Sequence, residues 1–373
     1  MTRDGRSSYA AAQAFAQTLA NAAGEGSPVP PGRSSRPTQR DIAEMAGVSI
    51  TTVSHVVNGT RAVAEETRAA VLRAIETTGY TGDAIARSLV TGGTRSIGVA
   101  ISLMANPYFA MLMQAVEREA AAAGYTVLLA DTHDELETEQ STVRALRSRR
   151  VEGLLITPAP GDGQVVGELV SLGVPTVLVD RLATRGDVDQ VGAENIQATS
   201  ALTEHLASLG HRRIGLISGA AGLSTSEERT LGYRLGLGRG GLAWNPDLVE
   251  CGHSSRDGGA AALRTLLALP EPPTALVVAN DGMMVGVLHE ARSRGLKIGR
   301  DLPVVVYDDV EWADLVDPPL TTMAQPIEEI GRRAVRLLLA RIADPDRKAE
   351  VVRLPPTLRH RESCGCVGIH PVR

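Results

Sequence analysis

The sequence predicts a small all-α helix-turn-helix headpiece, followed by a larger α/β domain of two doubly wound parallel sheets. Residues 37–61, PTQRDIAEMAGVSITTVSHVVNGTR, hold two short helical periods around a glycine, the pattern of a helix-turn-helix. From residue 97 onward, continuous apolar runs alternate with helical stretches, as strands buried on both faces of a parallel sheet require. At 373 residues and 43% hydrophobic, the chain exceeds one domain and has ample core material. Its three cysteines give no disulfide framework, which fits a reducing cytoplasm. No apolar run reaches the length of a membrane span.

Residues 1–36 stand apart. Residues 9–23 are Ala-rich and 24–36 are rich in Gly, Ser and Pro, a composition expected of a disordered extension. Gln13, Gln17, Thr18 and Asn21 interrupt any secretory apolar segment. Arg33 and Arg36, next to the headpiece in sequence, are expected to touch DNA phosphates. The headpiece is expected over 37–82. Ile42, Ala43, Ala46 and Val48 recur at helical spacing, and Gly47 supplies the turn. Ser49 is the expected N-cap of a second helix whose inner side is Val53, Val56 and Val57. Its outer side carries Ile50, Thr51, Thr52 and His55, small polar or methyl-bearing groups suited to base edges in a major groove. Asn58-Gly59 ends that helix and Arg61 follows in a loop. A third helix begins at 63–67 and runs to about Gly79, with Val71, Leu72 and Ile75 inside.

These residues resemble the lactose-repressor (LacI/GalR) family of bacterial transcription regulators. AGVSITTVSHVVNGTRAVAEETR is similar to its purine-repressor branch, and AIARSLVTGGTRSIG resembles its hinge. The resemblance runs from about Pro37 to Ser363. It implies that Thr38, Ser49, Ile50, Thr51, Thr52, His55, Asn58 and Arg61 contact operator DNA. It implies too that a hinge helix within 83–95 folds on DNA, with Ser88 and Leu89 at the minor groove and Leu89 wedged into a base step. Against this stands the charge. Across 37–95, Arg40, Arg61, Arg68, Arg73, Arg87 and Arg95 are balanced by Asp41, Glu44, Glu65, Glu66, Glu76 and Asp83, so binding would rest on local clustering of cations. Asp83 replaces a neutral residue of the family.

The expected strands are IGVAIS (97–102), YTVLLAD (125–131), VEGLLITP (151–158), VPTVLVD (174–180), RIGLISG (213–219), TALVVAND (274–281) and LPVVVYDD (302–309). Helices are expected over 108–123, 196–209, 226–236 and 283–295. Two sheets fit this count, joined near 192–195 and again near 321–325. The resemblance implies a two-lobed periplasmic-binding-protein-like (type I) effector domain over 96–363, which dimerises and binds a ligand between its lobes.

Ligands of open α/β sheets bind beyond the carboxyl ends of the strands. There the sequence offers Asp131, Asp180 with Arg181, Asn280 with Asp281, and Asp308 with Asp309; Tyr108 and Phe109 open the first helix and Arg229 lies early in another. Carboxylates, an amide, an arginine and an aromatic ring suit a sugar. By resemblance Asp180, Arg229, Asn280 and Asp308 hold sugar hydroxyls, Tyr108 and Phe109 belong to the first effector loop, and Thr225 joins the set. Leu223 and Ser254 stand where the purine repressor uses an arginine and an aromatic, which favours a sugar or sugar derivative over a purine. No cofactor is expected.

Other motifs fail. GLGRGG (236–241) mimics a dinucleotide loop but follows a helix rather than a strand. No Walker A loop or nucleophile elbow exists, so an enzyme is not expected. His360, Cys364, Cys366 and His370 form H-x3-C-x-C-x3-H, but C-x-C matches structural zinc spacings poorly; residues 364–373 are read as a tail without metal. The expectation is a cytoplasmic homodimeric repressor on a pseudo-palindromic operator, switched by a small molecule. The rivals are a purine-responsive corepressor-type regulator, a transport sugar-binding protein, an α/β enzyme and an architectural DNA-binding protein, and the first 95 residues disfavour the middle two.

Overall fold

The computed structural model describes residues 37–58, 61–80, 93–102, 106–161 and 163–366, which fall into two compact units, one on either side of residues 90–91. The 1–36 extension, the hinge with Asp83, Ser88 and Leu89, Gly59 and His370 lie outside the described residues.

In the headpiece, α1 (Gln39–Ala46) starts at a reciprocal cap: Thr38 N donates to Asp41 Oδ2 at 2.6 Å and Asp41 N donates to Thr38 Oγ1 at 3.4 Å. Gly47 ends it in the left-handed region at φ 66°, its N–H donating to the carbonyls of Ala43 and Glu44. Ser49 caps α2 (Ile50–Asn58), accepting from Thr52 N at 3.1 Å. Helix α3 (Glu65–Thr78) has no side-chain cap, but Glu65 and Glu66 meet the positive end of its dipole. Ile42, Ala43, Val53, Val71, Ala74 and Tyr80 form the core. One expectation fails here. Leu72 is 49% exposed, because Ala74 and Ile75 continue the face of Val71 at i+3 and i+4 while Leu72 turns away.

The second unit contains β1 (Ser96–Ile101), α4 (Pro107–Ala122), β2 (Thr126–Asp131), α5 (Leu136–Ser148), β3 (Gly153–Ile156), α6 (Gln164–Ser171), β4 (Thr176–Val179) and β5 (Asp189–Ala193). It continues through α7 (Ile196–Ser208), β6 (Ile214–Ser218), α8 (Ser224–Arg239), β7 (Val249–Cys251), α9 (Arg256–Leu267), β8 (Ala275–Val278), α10 (Asp281–Ser293) and β9 (Val304–Tyr307). The last elements are β10 (Thr321–Ala324), α11 (Ile327–Ala343), β11 (Val351–Leu354) and β12 (Thr357–Arg359).

The strands form two six-stranded sheets of matching order, β11-β5-β4-β3-β1-β2 and β12-β10-β9-β8-β6-β7. All pairings are parallel except β10 with β12. In the first sheet, Val99, Leu155, Val177 and Val179 pack beneath α4 and α11, while Ala100, Leu154, Ile156 and Leu178 face the opposite side, so the apolar runs are covered twice over. Strand β2 departs from that expectation: it lies at the sheet edge and leaves Leu129 44% exposed.

The chain passes between the lobes three times rather than twice, at β5 to α7, β10 to α11 and β11 to β12. The third passage was not foreseen, because β11 and β12 are short and carry no continuous apolar run. GLGRGG begins inside α8 and runs past its end, and its Gly236, together with Gly232 one turn earlier, serves packing. A Cβ on Gly236 would stand 2.6 Å from Ser200 O, and one on Gly232 would stand 2.3 Å from Ile196 O, so α7 lies against a smooth ridge of α8. Gly236→Val is expected to push these helices apart at a cost of about 1–3 kcal/mol; thermal unfolding of the effector domain would register it, and an unchanged midpoint would refute the packing account.

Candidate ligand cleft and DNA-facing surface

The first residues beyond β4 and β9 are Asp180 and Asp308, equivalent positions in the two matching sheets. Both adopt positive φ, 70° and 82°, a conformation that aspartate tolerates better than most side chains. Asp180, Tyr108, Phe109, Arg229, Thr225, Asn280 and Asp308 line one cleft with Asn106, Arg181, Leu223, Ser254 and Gln325. Of the expected effector residues, Asp131 alone stays outside this group. Its Oδ1 accepts the backbone N–H of His133 at 2.8 Å, a local turn contact that strand-end position alone could not distinguish from a ligand contact.

The cleft side chains hold one another. Tyr108 OH donates to Asp180 Oδ1 at 2.6 Å. Arg229 donates through Nε to Asn195 Oδ1 at 3.0 Å and through Nη1 to Ala279 O at 2.6 Å, and its guanidinium lies 3.7 Å from the centre of the Tyr307 ring. Asp308 Oδ2 is 4.0 Å from Arg229 Nη1, while Asp308 Oδ1 accepts from Gln325 Nε2 at 2.5 Å. Asn280 caps α10 by accepting from Met283 N at 2.8 Å, and it borders the cleft as well. From the opposite lobe, Asn106 donates to Asp281 Oδ1 at 3.0 Å, joining the N-terminus of α4 to that of α10. Arg181 is fastened to Asp134 and to Pro158 O, yet its Nε and the Oε1 of Gln325 have no hydrogen-bond partner among the described residues.

Burial dominates the electrostatics. It pushes the Asp308 carboxyl up to about 7, with Asp281 and Asp180 adding to the rise and Arg229 opposing it. It raises Asp180 too, against the pull of Arg181, Tyr108 and Arg229. The Tyr108 phenol is held far above its ordinary value by burial and by Asp180. Burial alone would weaken the Arg229 cation, but Asp308, Tyr307 and Asp180 outweigh that and strengthen it. The cleft therefore presents a fixed cation, carboxyls able to donate or accept, and the buried rings of Tyr108 and Phe109, packed edge to face at 5.1 Å. Those groups suit hydroxyls and a sugar ring face. Only about 40 Å³ is left among them, room for little more than a water, so a ligand must part the side chains that now bridge the lobes.

Sequence reasoning missed Asn106, Asn195 and Gln325 as cleft residues. Asn106 lies just ahead of the expected helix and Gln325 at the end of an expected connection, and nothing in the local sequence marks Asn195 as a partner of Arg229. Leu223 and Ser254 border the cleft as expected, with Ser254 Oγ accepting from Ala220 N at 3.1 Å.

On the headpiece, Ile50 is 46% exposed and Thr51 is exposed, whereas Thr52 and His55 are half-buried. Thr38 and Ser49 are engaged in capping, and Arg61 is exposed beyond α2. Asn58 is the last residue of α2; its side chain lies outside the described residues.

A helix-turn-helix headpiece followed by a two-sheet domain with a polar interlobe cleft defines a one-component ligand-responsive regulator. The family model described as "Bacterial regulatory proteins, lacI family" matches residues 38–83, and the periplasmic binding protein-like domain model matches residues 203–364. The chain is 34% identical to the ribose operon repressor of Haemophilus influenzae over 87% of its own length and 98% of that protein. It is 36% identical to the transcriptional repressor PurR of Pectobacterium atrosepticum over 87% of its length and 96% of that protein. Among solved structures, a lac repressor dimer bound to operator and the anti-inducer ONPF is 30% identical with a TM-score of 0.80, over 88% of this chain and 99% of that one. A CelR–cellobiose complex is 32% identical with a TM-score of 0.68, over 88% of this chain and 100% of that one. The chain belongs to the LacI family of bacterial transcriptional regulators. No described helix is long and apolar enough to cross a membrane.

Proposed function

We propose that this protein is a homodimeric, cytoplasmic, non-enzymatic repressor whose operator affinity is switched by a sugar or sugar derivative held between the lobes. The observation that carries the effector reading is the linked set Tyr108–Asp180 and Arg229–Asp308–Gln325, which gathers a carboxyl from a strand end of each lobe and a cation from α8. Two solved relatives support it by their ligands, the CelR–cellobiose complex and an Enterococcus faecium LacI-family regulator with bound ribose, 26% identical with a TM-score of 0.65. A purine effector is the second reading, favoured by the PurR relatives. Leu223 and Ser254 weigh against it, since neither supplies a cation or a ring for a base.

In this reading residues 37–82 bind DNA, 83–95 form the hinge and 96–363 the effector domain. Ile50, Thr51, His55 and Arg61 read base edges, with Thr38, Ser49, Thr52 and Asn58 beside them. Ser88 and Leu89 act at the minor groove, where Leu89 wedges a flexible pyrimidine–purine step near the operator centre. The dimer two-fold implies a pseudo-palindromic operator. Ligand binding exchanges the contacts across the cleft and so shifts the population of DNA-competent dimer.

A thermal-shift screen against sugars, sugar phosphates, polyols, nucleobases and nucleosides tests the effector class, because a ligand of the folded state raises the midpoint. A rise with one sugar class, with that ligand changing operator retention in a gel shift, is the expected result. A rise with purines alone would overturn the sugar reading.

A further inference from the structure

The expected C-terminal tail is in part a packed element. Cys364 is fully buried, and Ser363 fastens the segment by donating from Oγ to Val304 O at 2.7 Å and accepting from Thr321 N at 2.8 Å. Arg361 forks onto Asp309, through Nη1 to Oδ1 at 2.7 Å and Nη2 to Oδ2 at 3.3 Å. Between the two thiols Gly365 takes φ 80°, with its N–H donating to Glu362 O at 3.0 Å. A side chain there would meet Gly299 O at 2.8 Å. This tight turn points both thiols to one side.

There they meet two imidazoles. Cys364 Sγ lies 3.2 Å from Cys366 Sγ and 3.3 Å from His360 Nε2, and Cys366 Sγ lies 3.7 Å from His205 Nε2. All four donor atoms lie within 4.8 Å of one another. His205 comes from the last turn of α7, far away in sequence, and takes the place that His370 held in the sequence-based grouping.

We propose that His205, His360, Cys364 and Cys366 form a structural Zn²⁺ site that ties the turn after β12 to α7. Donors held about 2.3 Å (sulfur) and about 2.0–2.1 Å (nitrogen) from a tetrahedral ion are spaced roughly 3.3–3.8 Å apart. The Cys364 Sγ–Cys366 Sγ, Cys364 Sγ–His360 Nε2 and Cys366 Sγ–His205 Nε2 separations of 3.2, 3.3 and 3.7 Å lie in or next to that range. Two thiolates and two imidazoles suit zinc over the hard oxygen-seeking cations. Four protein ligands leave no open position, which fits a structural role rather than a catalytic one. The surrounding hydrogen bonds hold the turn, so little ordering is left for the metal to impose. Binding releases the thiol protons to solvent and leaves the oxidation states unchanged.

The test uses the full chain, reduced and stripped of metal with a chelator, then titrated with Co²⁺ and Zn²⁺. One equivalent of Co²⁺ should give tetrahedral ligand-field bands and a thiolate-to-metal charge-transfer band. Zn²⁺ should displace it with a dissociation constant below about 0.1 µM. Cys366→Ser and His205→Ala, both at half-buried positions, should weaken the metal at least about tenfold, while Cys251→Ser should leave it unchanged. Zn²⁺ should raise the melting midpoint of the parent chain and not of Cys366→Ser. A spectrum without thiolate charge transfer, uptake indifferent to Cys366→Ser and His205→Ala, or a stable Cys364–Cys366 disulfide under mild reductant would each overturn the site. None of these outcomes depends on the identity of the effector.

Discussion

Arg229→Met is expected to abolish the effector response and to destabilise the effector domain by about 3–5 kcal/mol at pH 8, the cost of leaving buried charge unpaired. The guanidinium stands 4.0 Å from Asp308, rests on Tyr307 and reaches the first lobe crossing through Asn195. Methionine keeps much of the volume and none of the charge. The deficit should depend on pH with a definite sign. The Asp308 carboxyl already sits near 7 rather than at its ordinary 3.8, so between those values the folded state binds more protons than the unfolded. Stability from this group therefore falls as pH rises from about 4 through the folded value. Arg229 opposes that rise; without it the folded value climbs further, and the variant should lose most in alkali and least at pH 5. Melting curves of parent and variant at pH 5 and pH 8, with and without the effector, decide the matter. Equal midpoints at pH 8 with the effector response intact would remove Arg229 from the site.

Val53→Asp should separate the two activities. Val53 is wholly buried at the centre of a headpiece core of six buried residues. So small a unit has little stability to lose, and a carboxylate there finds no partner. Operator affinity should fall by about 10³-fold or more, to the level of non-specific DNA, while the melting of the effector domain and its response to ligand stay as they were. A gel shift on a short operator duplex measures the first and calorimetry the second. Retained specific binding would mean that the headpiece tolerates the charge and that its packing is misjudged.

These two variants probe what was most and least legible in the chain. The headpiece was readable because its signals are local: the Thr38–Asp41 cap, Gly47 and Ser49 each act within a few residues. Val71 and Ile75 were placed correctly, whereas Leu72 needed the exact phase of α3. The seven strands that lie within continuous apolar runs declared themselves. Strands β5, β7, β10, β11 and β12 did not, since DQVGA, VEC, TTMA, VVRL and TLR are short or polar and become strands only by pairing with neighbours brought from elsewhere. Asp180 and Asp308 were found because strand ends in an open sheet are a known place to look, and Arg229 because it lies early in the helix that follows such a strand. Their partners Asn195 and Gln325, like His205 beside the cysteines, come from distant segments, and contacts of that kind leave no trace in spacing.

The triple passage between the lobes has a mechanical consequence. A single tether would let one lobe swivel and slide, and two would still allow a twist about the line joining them. Three connectors, leaving and entering the neighbouring border strands β5 with β11 and β10 with β12, act as a parallel linkage of nearly fixed bar lengths. Such a linkage resists shear and torsion while it yields to bending about one axis. An angular change at the cleft is thereby delivered to the far end of the domain as a displacement of defined direction, and its leverage grows with distance from the pivot.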